Sequence, residues 1–541
     1  MKYPCLLFCL TLLSFSGFAQ KTTPDVDITR GRLNKHKYSE RIFVHKPLGM
    51  VGGDYYFLAT SEPNAYMHDV VDYQSGNTLG KMDKGMKTTY VPIETKEEKK
   101  DMVVEFATLL KGELYVFFSF QNMKQKKHFL FYRKYNKTTL LPEGKTQFLA
   151  EVDYANTDKF KTAWFEYRLS PDSSHILILG SLADKDGELV GMELLVLDHQ
   201  MQKIWNTNTY RDKLPEGFVI ITDYIISNRG EVHMLGLRYD SKREMKYASK
   251  IKRQSLTKRR LISYPVYDIV LVSFMDKTDK TKALTFELPN FFVRDLKLMP
   301  KGDTLLAAGI YSLEGTMSVL GTCLFTLDAR SGQVLSRETH PFEKALIVEG
   351  ASERMAARMK EDIKAREDFE KYHYELMPLI PDGQGGFWLL AEQGLTEYVT
   401  QKTGGMVTTS TIHTKDNVYV VRYEPDGTPA YAGKLLKHQQ LTNCGNNWLS
   451  FKAHAYKDKL YIFYNMVTGK ETSLFRAFKN FPTQLTIFDP SGNQESKVLF
   501  QSDQLEVDLV PRFAGMSEEN SLVFFGPGKN MYQHRYVKVN L

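Results

Sequence analysis

The sequence predicts an all-β chain that closes into a β-propeller of eight four-stranded antiparallel blades, carrying one helical insertion. Three observations predict it. A strand–turn–strand unit recurs eight times. A third and a fourth strand follow each unit. A spare strand near the N-terminus completes the last unit.

The recurring mark is a strongly apolar second strand. It occurs at Asp54–Ala59, Glu113–Phe118, Ser174–Leu179, Glu231–Gly236, Asp303–Ala308, Gly386–Ala391, Asp458–Phe463 and Asn520–Phe525. Runs this rich in Val, Ile, Leu, Phe and Tyr suit buried strands. Turn chemistry precedes most of them, as at Ser170–Ser173, Ser227–Gly230, Met299–Gly302 and Pro381–Gln384. Gly, Asn and Asp tolerate turn dihedrals that bulkier residues resist. Third strands ending in acidic or glycine turns follow, at Leu195–Asp198, Phe325–Gly332, Val421–Gly427 and Thr486–Gly492. Fourth strands leave those turns, as at Lys203–Trp205 and Gln333–Ser336.

The third and fourth strands of Leu324–Leu335 resemble quinoprotein-type propeller blades. The resemblance covers single blades, and that family's docking tryptophan does not recur.

Closure checks the count. The last third strand, Tyr536–Val539, leaves blade eight one strand short, and Asp25–Thr29 can supply it. Arg41–His45 then reads as the first strand of blade one. Such closure removes an open sheet edge that would pair with other chains. A seven-bladed count requires one unit to be misread.

The second strands begin 57 to 83 residues apart, whereas ordinary blades run about 40–50 residues. The excess lies in four insertions. Tyr239–Ile262 (blade four), Gly394–Asp416 (blade six) and Asn465–Thr483 (blade seven) join second to third strands, and all three read as loops. Pro341–Tyr372 joins blade five to blade six. In a four-stranded meander these connection types share one face, which marks that face as the elaborated one. Glu353–Phe369 is dense in good helix formers, with Ser352 as cap and a stripe of Met355, Met359 and Ile363.

The N-terminus reads as a signal peptide over residues 1–19. Lys2 is the charged start, Cys5–Phe15 the apolar run, and Gly17 and Ala19 the small residues before cleavage at Gln20. Residues 20–541 are then one propeller, exported to the periplasm or beyond, with cell-surface association in keeping. No later run is long enough for a transmembrane helix. The mature chain keeps Cys323 and Cys444, which allows one disulfide without requiring it.

The formal net charge is +7. Lys242–Arg260 holds nine Lys and Arg against Glu244, so the basic character belongs to that segment. Lys252, Arg253, Lys258, Arg259 and Arg260 are candidates for an anionic surface or glycan, against a plainly solvated extension. Phe475, Arg476 and Phe478 set rings beside a cation, a pattern that stacks on sugars or packs a loop down. Trp448, beside Asn446 and Asn447, is read the same two ways. Asp184–Gly187 resembles a fragment of a calcium loop, and turn chemistry accounts for it.

The sequence implies no metal and no cofactor. Its thirteen histidines never fall at metal-ligand spacing, and it contains no His-Glu-x-x-His, Gly-x-Ser-x-Gly or phosphate loop. Nucleic acid is not an expected partner outside the cytoplasm. The reading is a non-enzymatic binding or scaffold propeller, its protein or glycan partner docking on the elaborated face. The alternative is a carbohydrate hydrolase or lyase with acids in the central funnel.

Overall fold

The computed structural model describes residues 26–35, 44–60, 77–97, 100–153, 162–183, 189–210, 218–239, 267–274, 282–313, 318–351, 353, 356–357, 373–403, 406–442, 448–467, 481–518, 520–528 and 533–541. Among them lie eight sheets of four or more antiparallel strands, each a meander in chain order. Blades one to eight span 44–92, 103–153, 162–210, 218–286, 291–341, 373–435, 451–500 and 515–540.

The second strands are apolar because both of their faces are covered. Tyr55 and Phe57 face blade eight, joining Val523, Phe525 and Tyr536 in one cluster. Tyr56 and Leu58 face blade two, joining Val104, Leu114 and Phe118. The same alternation fills the seams between the other neighbouring blades. A fully buried aromatic or aliphatic side chain contributes about 1.5–3 kcal/mol, so the stability of the ring is spread over all its seams.

The first strands form the inner wall. Val44–Val51, Val103–Leu110, Thr162–Leu169, Phe218–Ile226, Phe291–Lys301 and His373–Leu376 touch in succession. The short helical turn Pro511–Phe513 bridges blade seven to blades one and eight, and Gly515–Glu518 of blade eight touches Val44–Val51. The ring closes through the strand Asp27–Arg30, which pairs antiparallel with Val537–Asn540 as the outer strand of blade eight.

The described first strand of blade one is Val44–Val51, and residues 41–43 of the expected Arg41–His45 lie outside the described set. The strand runs through Pro47 and Gly49 because its inner edge faces the channel, where a proline costs no ladder bond. The segment 394–416 is no loop but two β-strands, described below. In the helical insertion, Lys344–Val348 is a short helix and Glu353, Ala356 and Ala357 are helical. The rest of Glu353–Phe369 lies outside the described residues.

Cys323 is a buried free thiol, its pKa pushed up by burial, while Cys444 lies outside the described set. Among the described residues no helix is long and apolar enough to cross a membrane.

Candidate functional site

Meander order puts every second-to-third and blade-to-blade connection on one face of the ring. On that face blade six grows a ribbon. Its second strand is Phe387–Thr403 and its third is Met406–Tyr423. The ladder runs unbroken from Gly394↔Lys415 to Thr403↔Met406. Nine residues past Gly394, at about 3.3 Å each, carry it about 30 Å beyond the blade.

The local sequence dictates this ribbon. Thr, Val, Ile and Tyr alternate along both arms, and Gly404–Gly405 sits between them. β-Branched residues favour strands, and a glycine pair suits a two-residue hairpin turn. One ribbon face sets Thr396, Tyr398 and Thr400 opposite His413, Thr411 and Thr409. Thr396 Oγ1 and His413 Nδ1 are 3.0 Å apart, and the Thr400 and Thr409 hydroxyls 3.2 Å. Tyr398 is 56% exposed. The strand Gln439–Thr442 pairs with Ile412–Lys415 and makes the base three-stranded.

Under the ribbon lies a buried polar network. Glu392 is fully buried and forms ion pairs with Lys437 at 2.7 Å and Lys415 at 3.5 Å. The Ser450 hydroxyl donates to it at 2.6 Å. Burial lowers the Lys437 pKa, and Glu392 offsets only part of the shift. Lys415 reaches on to Glu375, 2.8 Å away on the first strand. Burial pushes Glu375 up, but Lys415, with Arg512 and Lys297 behind it, more than reverses this and leaves the carboxyl below its usual range. From Lys437 the chain of bonds passes through Gln439 to the Asn465 carbonyl, and the Asn465 amide donates to the Leu509 carbonyl at 2.8 Å. A network with its buried members paired fixes the base of the ribbon.

The inner wall carries a series of acids. Glu105 of blade two accepts from the Phe165 amide of blade three and from the Ser119 hydroxyl. Glu166 accepts from the Tyr224 hydroxyl of blade four at 3.0 Å. Asp223 accepts from the Leu298 amide of blade five at 2.9 Å. Asp295 accepts from the Leu376 amide of blade six at 3.4 Å. Each carboxylate thus ties its blade to the next. Burial raises the pKa of Glu105, Asp223 and Asp295.

A spacing in the chain announces these acids, a fainter signal than the apolar second strands. Glu105, Glu166, Asp223 and Asp295 each stand eight residues before Glu113, Ser174, Glu231 and Asp303. At the same spacing blade one carries Lys46, and the helical turn before blade eight carries Arg512. Lys46 lies over the Tyr167 ring at 5.1 Å.

Of the residues picked from sequence, Trp448 is buried at 3% exposure, and its carbonyl accepts from the Asn465 amide at 3.2 Å. It packs the start of blade seven and offers no ring to solvent. Lys252, Arg253, Lys258, Arg259 and Arg260 lie outside the described residues, as do Phe475, Arg476, Phe478 and Asp184–Gly187. Phe481, at the end of that blade-seven insertion, is buried, and its amide donates to Asp508 at 3.2 Å. Among the described residues no three His, Cys, Asp or Glu side chains are grouped to hold a metal ion.

No protein-family model matches the chain, and no curated protein matches it in sequence. Similar solved structures include the WD40 domain of SCAP from fission yeast, at 9% identity, covering 94% of this chain and 98% of that one, with a TM-score of 0.37. The β-propeller domain of the Trilobed protease from Pyrococcus furiosus is 11% identical, covering 86% and 97%, with a TM-score of 0.35. A polysaccharide lyase is 9% identical, covering 94% and 99%, with a TM-score of 0.36. The likeness is one of propeller architecture.

Proposed function

We propose that this chain is an exported, non-enzymatic binding propeller that docks a protein or glycan partner on the face bearing the blade-six ribbon. The observation behind this reading is the ribbon itself, about 30 Å of strand beyond the blade on a base fixed by buried ion pairs. It contributes nothing to ring closure, and insertions of this kind are more often functional than ordinary connections. The Lys242–Arg260 segment belongs to a connection of the same face, and its charge favours an acidic partner. Export rests on the signal-like residues 1–19, and the mature chain would begin at Gln20.

One observation favours the hydrolase or lyase alternative. Glu166, Asp223, Asp295 and Glu375 all stand on first strands that line the channel, with Tyr224 among them. Their engagement in blade-to-blade bonds and an ion pair speaks for a structural role instead.

The test replaces residues 397–412 with Asn-Gly, which keeps the Thr396–His413 pair as the last rung. Full chain and variant are run through gels cast with acidic or neutral polysaccharide, and the same polysaccharides are assayed for new reducing ends and unsaturated products. Retardation of the full chain by acidic polysaccharide, lost in the variant and without product, supports the binding reading. Products that vanish in Asp223→Asn or Asp295→Asn would replace it with the enzymatic one.

A further inference from the structure

The opposite face carries the first-to-second and third-to-fourth turns. There a cleft of about 580 Å³ opens between blades four and five, within the usual range for small-molecule sites. Leu271 and Leu284 of blade four and Val334 of blade five form its apolar part. Ser273, Ser331 and Gln333 are its polar side chains, and among the described residues no charged one lines it.

Behind Ser273 stands His233, its cross-strand partner, at 1% exposure. Ser273 Oγ and His233 Nδ1 are 2.9 Å apart. His233 Nε2 is buried and has no hydrogen-bond partner among the described residues. Burial pushes the imidazole pKa down to about 4, so the ring is neutral near pH 7. A neutral ring leaves two arrangements. If Nδ1 accepts from Ser273, the serine oxygen keeps its lone pairs for an outside donor. If Nδ1 donates, the serine hydroxyl hydrogen is free for an outside acceptor. A ligand hydroxyl satisfies either case.

We propose that this cleft is a binding site for a small uncharged molecule bearing a hydroxyl group on an apolar body, received by Ser273 with His233 behind it. The described lining, of apolar and neutral polar side chains, favours an uncharged ligand over a salt-bridged one. The leucines and Val334 supply the surface for the apolar body. The site is independent of the ribbon and lies on the other face.

The experiment titrates the full chain with cyclohexanol while following the ring resonances of isotopically labelled histidine. Benzoate serves as the charged counterpart. Ala283 and Gln333 are exposed at the cleft, so Ala283→Trp and Gln333→Trp fill it without touching the core. The expected result is a saturable shift of the His233 signal with cyclohexanol, none with benzoate, and loss of the shift in both tryptophan variants. A His233 signal that cyclohexanol does not move overturns the proposal. So does a shift that persists in either variant whose other histidine signals are unchanged.

Discussion

Asp223 Oδ2 of blade four lies 2.9 Å from the Leu298 amide nitrogen of blade five, 75 residues further along the chain. The bond joins two inner strands that no sheet ladder connects. Asp223→Ala leaves that amide without its acceptor, and a buried orphan of this kind costs about 1–3 kcal/mol. Asp223→Asn keeps an oxygen in place and is expected to lose less. Urea denaturation of the two variants checks the order. Equal losses would mean that the carboxylate does not serve as the acceptor that matters.

Glu392 sits between Lys437 and Lys415 with no exposure of its own. Removing one member of a buried ion pair strands the other charge, at about 3–5 kcal/mol. Glu392→Ala is therefore expected to cost more than Asp223→Ala. Its damage should be local, with faster amide exchange at Ile412–Lys415, where the ribbon meets Gln439–Thr442. Uniform acceleration across all blades would count against the network as the fixed base of the ribbon.

Glu193, on the third strand of blade three, has its carboxyl pushed up to about 7 by burial, opposed by Lys203 and reinforced by Glu151. The unfolded chain releases this proton near 4.5, so the folded chain holds more protons between those values. The stability tied to the protonated form is complete below about 4.5 and is lost as pH rises through about 7. Glu193→Gln removes this dependence. It is expected to match the parent at about pH 4 and to exceed it by about 1–3 kcal/mol at about pH 8. Denaturation midpoints at the two pH values decide it, and a constant difference would refute the assignment.

The eight blades were legible because burial on both faces makes a second strand such as Glu113–Phe118 almost wholly apolar. The closing strand was legible by counting, since blade eight lacked one. The ribbon at 394–416 was harder to see because its residues are polar. Leu395–Thr400 buries little, so hydrophobicity alone reads it as loop. Its alternation of β-branched residues around Gly404–Gly405 is what marks a hairpin. The carboxylate joints were not legible one at a time, because the partner of Asp223 is a backbone amide with no sequence signature. Only their common spacing from the next strand announces them. The ring of Trp448 shows the converse ambiguity, where of two readings open in the sequence the structure takes the packed one and the aromatic closes the core.

The pairing of Asp27–Arg30 with Val537–Asn540 also sets an order of events. Asp27 and Asn540, joined by a side-chain bond at 3.3 Å, stand 513 positions apart. The strand Asp27–Arg30 must wait unpaired until Val537–Asn540 has left the ribosome. Contacts this distant in sequence form late and slowly. Seven blades can assemble in turn as they emerge, but the eighth can be finished only once residues 27–30 and 537–540 are in the same compartment. Until then the ring is an open arc with one unsatisfied edge, and that interval is when the protein is most exposed to misassembly with its own copies.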